Sequence, residues 1–123
     1  MGVVITGRVE QGNRIGRKLG FPTANISISN KPDVRDGVYA VKVRTPDGEF
    51  FQGMANIGTR PTVTESKKRF LEVNIFGFGD DLYGKTIDVE LLAYIREERT
   101  FASVEELKEQ IEKDKQCVLA ALD

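Results

Sequence analysis

Short segments in which apolar and polar residues alternate, separated by turn residues, fill most of the chain. Such alternation is typical of strands with one buried face. Several of them at short spacing favour a closed or nearly closed antiparallel barrel over a parallel sheet. The clearest segments span residues 3–10, 38–44, 49–57, 70–76 and 86–95. Pro46, Asp47 and Gly48 form a turn signal that joins two of these segments into a hairpin.

The C-terminal part of the chain has a different periodicity. Ser103 and Glu106 are spaced as a capping box, in which the serine hydroxyl accepts from a backbone amide and the glutamate reaches back. Apolar residues then recur at helical spacing: Val104, Leu107, Ile111, Val118 and Leu122. We therefore predict one amphipathic helix over residues 103–122, which packs against the barrel or covers one of its ends.

Composition limits the chemistry that the chain can perform. Its 123 residues are the size of one domain, and a net charge of −1 gives no general attraction for nucleic acid or an anionic membrane. The absence of histidine excludes Ser-His-Asp and Cys-His catalysis, and the single cysteine, Cys117, excludes an internal disulfide. A catalytic base would be a carboxylate, a lysine or a tyrosine. No signal peptide or membrane span is visible, so we expect a cytoplasmic protein with a single domain over residues 1–123.

A stretch over residues 11–36 has no clear periodicity, although connections in compact domains are usually about 4 to 6 residues long. Its first half combines glycines that let backbone amides approach a ligand with cations that suit phosphate. These residues are Gly12, Gly16 and Gly20, with Arg14, Arg17 and Lys18. Pro22 then stiffens the approach to Thr23 and Asn25, whose side-chain oxygens suit Mg²⁺. The stretch lacks the Walker and dinucleotide fingerprints, so it is either a phosphate loop of another kind or a solvated surface loop.

Glu72 is a carboxylate on the polar face of a predicted strand. On its strand, Leu71, Val73 and Ile75 share one face, whereas Glu72 and Asn74 share the other. A glutamate on a polar strand face is usually only solvated, but one within reach of a hydroxyl can act as a general base. The residues alone leave both interpretations open.

Residues 16–25, with the sequence GRKLGFPTAN, resemble the signature of the riboflavin kinase family. Further blocks resemble that family in the same order: residues 36–41, 53–62, 71–76, 81–85 and 94–98. The resemblance implies a mainly β fold, a six-stranded antiparallel Greek-key barrel over residues 1–96 with a C-terminal α-helix. It also implies transfer of the γ-phosphate of ATP to the 5′-hydroxyl of riboflavin, which gives FMN and ADP.

The resemblance implies a role for each part of the site. Glu72 would be the general base. A loop would bind the nucleotide phosphates through Gly16, Arg17, Lys18, Gly20, Pro22, Thr23 and Asn25. Within that loop, Thr23 and Asn25 would also hold Mg²⁺, the expected cofactor. Three residues would lie at the flavin: Arg96, Phe101 and Asn56.

Two positions depart from the family pattern. Relatives often carry His at the position of Asn74 and Asp at that of Gly77, which leaves a non-catalytic flavin or nucleotide binder of the same fold as the alternative. A barrel that binds nucleic acid is disfavoured by the acidic balance and by the lack of an aromatic row on any one strand. The expected partners are therefore the small molecules riboflavin and ATP, without nucleic acid or membrane. Bacterial relatives often add an N-terminal adenylyltransferase domain, so a longer parent protein would supply it, and this chain is expected to stop at FMN.

Overall fold

A computed structural model describes residues 3–10, 23–28, 34–60, 68–77, 82–99 and 101–122. These residues form six strands and one helix: β1 (Val3–Glu10), β2 (Thr23–Ser27), β3 (Gly37–Arg44), β4 (Phe50–Arg60), β5 (Lys68–Ile75), β6 (Thr86–Arg96) and α1 (Val104–Leu122). The strands close into an antiparallel barrel in the order β1-β2-β5-β4-β3-β6. The neighbours β2 and β5, and β3 and β6, are not consecutive in the chain, as in a Greek key. The predicted fold is confirmed.

The interior of the barrel is built by strand alternation, which sends every second side chain inward. Tyr39, Val41 and Val43 of β3 are fully buried there, on the face that the sequence predicted. Other strands contribute Ile26, Ile57, Leu71, Val73, Ile87, Val89 and Leu91. Each aliphatic side chain of this kind stabilises the fold by about 1.5–3 kcal/mol when fully buried. The polar side chains that carry chemistry are therefore confined to the outer face and the ends of the barrel.

Part of the outer face is covered by α1. Val118 is fully buried against Ala40 and Met54, and Ile111 packs against the same cluster. Val104 was predicted to share this apolar face but is 52% exposed, because it lies in the first helical turn, before the apolar contact begins. Among the described residues, no helix is both long and apolar enough to cross a membrane.

The start of α1 has the predicted capping box with one difference. The amide of Glu106 donates to Ser103 Oγ at 3.2 Å, as expected. The carboxylate of Glu106 accepts from the amide of Ala102 at 3.1 Å, one residue before the position that the standard box uses. Both interactions satisfy backbone amides at the N-terminal end of α1 and so fix the residue at which the helix begins.

The stretch over residues 11–36 was predicted without a strand, and this was wrong for β2. β2 has five residues, too few for alternation to stand out among the polar residues around them. Pairing with β1 on one side and β5 on the other supplies the hydrogen bonds that the short segment needs. Ile26 and Ile28 are buried in the interior as a result.

Candidate functional site

A row of polar residues crosses the outer face of β2, β5 and β4. The strand register places Asn25 opposite Glu72, and Glu72 opposite Asn56. Residues paired directly across antiparallel strands share a face, with Cβ atoms about 4.5–5.5 Å apart. One carboxylate is therefore flanked by a carboxamide on each side.

The same row continues around the barrel. Beyond Asn56 the register runs through Val38 to Arg96 at the end of β6. Four residues that the sequence pointed to lie in this single row: Asn25, Glu72, Asn56 and Arg96. Asn25, which the resemblance assigned to the metal and phosphates, lies at one end of this row, and Arg96, which it assigned to the flavin, lies at the other.

Burial differs along the row. Asn25 is only 3% exposed, Glu72 is partly buried and Asn56 is exposed. A carboxylate at the boundary between a buried amide and solvent is accessible to a substrate while its surroundings stay fixed. This arrangement suits a general base, which must lie within hydrogen-bond reach of the proton that it removes.

Glu10 extends the row at its other end, where it pairs with Asn25. Its carboxylate accepts from the amide of Ser27 at 3.0 Å and so adds a contact between β1 and β2, which share two register pairs among the described residues. A groove of about 670 Å³ opens beside this contact and is lined by Arg8, Glu10, Ser27 and Tyr83, among others. Its volume is within the range of small-molecule sites, about 300–1,000 Å³.

Arg96 is held in place by a carboxylate on α1. Its Nε and Nη2 donate to the two oxygens of Asp114 at 2.8 and 2.7 Å, and its Nη1 donates to the carbonyl of Glu97 at 2.8 Å. Asp114 is only 4% exposed. Its Oδ1 also accepts from Gln110 Nε2 at 2.9 Å, and Gln110 Oε1 accepts from Arg99 at 2.7 Å.

Phe101 lies next to this network. It lines a groove of about 290 Å³ together with Arg99, Gln110 and Lys113, among others. Because Gln110 also contacts Asp114, the groove and Arg96 are connected through one chain of hydrogen bonds. Phe101, which the resemblance assigned to the flavin, therefore lines a groove with Arg99 and Gln110, and hydrogen bonds continue from these two residues to Asp114 and Arg96.

Glu98 is a second carboxylate near the row. Its carboxylate lies against Gly58, so closely that a Cβ on that glycine would overlap it. Burial raises the pKa of Glu98 above its usual value, nearby Asp36 raises it further, and Arg96 lowers it. Asp36 is itself paired with Arg69 at 3.0 Å.

Several predicted site residues cannot be placed. Gly16, Arg17, Lys18, Gly20 and Pro22 lie outside the described residues. The backbone of Thr23 begins β2 opposite Asn74, but its side chain is also outside the described part of the structure. Within that part, no group of three or more Asp, Glu, His or Cys side chains is arranged to hold a metal ion. The side-chain oxygen of Asn25 nevertheless fits Mg²⁺, which prefers one or two hard protein ligands with substrate phosphates and water.

Sequence reasoning missed Asp114. It lies three residues after Ile111 and four before Val118, so it shares the face that α1 turns toward the barrel. A carboxylate at a core position of an amphipathic helix was the signal that could have identified it, because buried acids are almost always paired.

The fold and the row define a class of protein: a small Greek-key barrel with a carboxylate between two carboxamides on its outer face and no histidine. The chain belongs to the riboflavin kinase family, since the family described as Riboflavin kinase matches residues 2–122. This confirms the family that the sequence predicted.

Individual relatives agree with this assignment. The chain is 49% identical over 110 residues to the bifunctional riboflavin kinase/FMN adenylyltransferase of Haemophilus influenzae, covering 89% of this chain and 35% of that protein. A riboflavin kinase structure from Trypanosoma brucei matches with a TM-score of 0.66 and 26% identity, over 97% of this chain and 78% of that one. A structure described as a macrolide-efflux protein from Streptococcus pneumoniae matches with a TM-score of 0.85 and 35% identity, over 95% and 38%. The chain spans about a third of the length of the bifunctional relatives, at 35% and 37% of the first two.

Proposed function

We propose that this domain transfers the γ-phosphate of ATP to the 5′-hydroxyl of riboflavin, giving FMN and ADP. The observation that carries the proposal is the register row that sets Glu72 between Asn25 and Asn56. In a chain without histidine, this carboxylate is the natural base for a primary hydroxyl. The family match supports the same substrate.

Glu72 removes the proton of the riboflavin hydroxyl as that oxygen forms its bond to the γ-phosphorus. The bond between the γ-phosphorus and the bridging oxygen breaks, and ADP leaves with its electron pair. The proton then passes from Glu72 to solvent. General-base assistance of this kind contributes about 10²–10⁴ in rate, and the larger part of catalysis comes from positioning and from neutralising phosphate charge.

Asn25, with Thr23 two residues earlier, would hold Mg²⁺. The ion would neutralise charge on the phosphates during transfer. Gly16, Arg17, Lys18, Gly20 and Pro22 would bind the same phosphates, and the groove beside Glu10 and Ser27 is large enough to take part of a nucleotide.

The flavin would lie toward the other end of the row. Asn56 is the exposed member next to Glu72. Hydrogen bonds connect Arg96 through Asp114 and Gln110 to Arg99, and Arg99 lines a groove together with Phe101. In the cell we expect a cytoplasmic enzyme whose FMN product is passed to an adenylyltransferase domain if a longer parent protein carries one.

The alternative is a non-catalytic flavin or nucleotide binder. One observation favours it: Asn74, which departs from the family pattern, is buried on the outer face of β5, two residues from Glu72 and opposite Thr23. Incubation with riboflavin, ATP and Mg²⁺, followed by chromatographic separation of FMN, decides between the two. Continuous FMN formation is expected. Riboflavin binding without FMN at saturating ATP and Mg²⁺ would establish the binder instead.

A further inference from the structure

Asp114 is a buried charge on the one helix that the described residues contain, and its position is unusual. It is 4% exposed on a face whose other contacts are apolar, Ile111 and Val118 among them. A buried ion pair is weak evidence for stability, since well-packed apolar residues in its place are often as stable or more so. Packing of α1 alone therefore does not account for an acid at this position.

The geometry of the pair indicates a positioning role. The two carboxylate oxygens of Asp114 accept from Nε and Nη2 of Arg96, which is the bidentate arrangement that fixes the plane of a guanidinium. The carbonyl of Glu97 accepts from Nη1 and restricts rotation further. An arginine has five N–H donors, so two of them have no partner among the described residues and stay within a plane already set.

The same carboxylate is connected to the groove at Phe101. Gln110 donates to Asp114 and accepts from Arg99, so the orientation of Gln110 depends on both. Arg99, Gln110 and Phe101 line that groove together. One acid on α1 thereby sets the orientation of a guanidinium at the end of β6 and of a second guanidinium beside an aromatic ring.

We propose that Asp114 is a positioning residue for riboflavin, which fixes Arg96 and, through Gln110, Arg99 as the polar side of the flavin site. The inference rests on the proposed function, because it takes Arg96 and Phe101 as flavin contacts. A planar guanidinium in a fixed orientation suits a planar heteroaromatic ring with carbonyl acceptors, by stacking or by paired hydrogen bonds. In this proposal, α1 supports the substrate site and also covers part of the outer face of the barrel.

The test is Asp114→Asn, which keeps the shape of the side chain but removes its charge. We expect KM for riboflavin to rise about tenfold, as for loss of a charge-assisted hydrogen bond, with KM for ATP unchanged. Glu112→Gln makes the same change at an exposed position of α1 and should leave both constants as in the wild type. A lower melting temperature with unchanged KM for riboflavin would overturn the proposal and leave Asp114 a structural residue.

A double-mutant cycle separates positioning from general destabilisation. Arg96→Lys keeps the charge but lacks the planar fork, so it should raise KM for riboflavin by itself. If Asp114 acts through Arg96, the double variant should be no worse than the poorer single variant. Additive effects on KM would overturn the proposal.

Two further measurements keep the test independent of folding and of turnover. If Asp114→Asn does not fold, Gln110→Met removes the donor to Asp114 and leaves the ion pair, and a riboflavin Kd equal to that of the wild type would then contradict the proposal. If the wild type forms no FMN, the proposed function fails. Riboflavin Kd, measured by quenching of flavin fluorescence, still tests Asp114 in the same variants.

Discussion

Asn25 of β2 and Glu72 of β5 face each other as a register pair on the outer surface of the barrel. The carboxamide of Asn25 is buried and neutral, so it lies beside the carboxylate of Glu72 without adding a second negative charge. An aspartate at position 25 would instead oppose ionisation of its partner. The pair therefore places the proposed base beside the proposed oxygen ligand for Mg²⁺.

Glu72→Gln should lower kcat by about 10²–10⁴, the usual contribution of a general base, while riboflavin Kd stays within about twofold because the amide has the same shape. Turnover and fluorescence titration measure the two quantities. Glu90→Gln is the matched control, since Glu90 lies on β6 between Val4 and Lys42 and outside the row. Near wild-type kcat in Glu72→Gln would show that another group accepts the proton.

Asn25→Ala should raise the Mg²⁺ concentration needed for half-maximal activity, because it removes an oxygen ligand next to the phosphates. We expect a change of about tenfold, the low end for loss of a supporting ligand. The measurement is a Mg²⁺ titration of initial rate at saturating riboflavin. Gln52→Ala removes an exposed carboxamide from β4 and serves as control. An unchanged Mg²⁺ dependence would remove Asn25 from the metal site.

Tyr39 and Tyr94 offer a matched pair for stability inside the barrel, with ring centroids 5.2 Å apart. Tyr39 Oη donates to the carbonyl of Arg35 at 2.6 Å, whereas the buried Oη of Tyr94 has no partner among the described residues. Tyr39→Phe should therefore cost about 1 kcal/mol, the net value of one hydrogen bond, and Tyr94→Phe should cost nothing or stabilise. Urea denaturation measures both free energies of unfolding. The reverse order would show that the Tyr94 hydroxyl has a partner.

Alternation within single strands was readable from the sequence, and the relation between strands was not. Tyr39, Val41 and Val43 lie inward as predicted, because the period of two depends on the local chain alone. The row from Asn25 to Asn56 depends on two pairings of β5. One is with β4, the strand before it in the chain, and the other is with β2, which lies much earlier in the chain. Glu72 could be proposed from resemblance, but its neighbours are fixed only by that topology.

The network of α1 was hidden for a related reason. In the sequence, Asp114 only interrupts an apolar stripe of the helix. The structure shows that Arg96 at the end of β6 pairs with it. The position of Asp114 in the stripe indicates an acid that needs a partner, but helical periodicity does not say which cation supplies that partner. Long-range pairing of charges becomes visible only when the helix is packed on the barrel.

Glu98 provides a prediction for pH dependence. Burial against Gly58 and the charge of Asp36 raise its pKa above the ordinary value of 4.5, although Arg96 opposes this. A carboxyl whose pKa is raised in the folded state favours folding when protonated. Its contribution to stability is fully present below the unfolded pKa and is lost as pH rises through the folded pKa.

Glu98→Gln should remove this loss of folding stability at higher pH, because glutamine does not ionise. The difference in free energy of unfolding, variant minus wild type, should increase as pH rises from 4 through the raised pKa, and then level off. The size is reduced by solvent screening, because Glu98 as a whole is exposed. Urea denaturation across this pH range measures the difference, and Glu97→Gln at the preceding exposed position should give a flat curve. If the Glu98→Gln difference instead falls with pH, attraction to Arg96 outweighs burial and Asp36, and the carboxylate stabilises the end of β6 in its charged form.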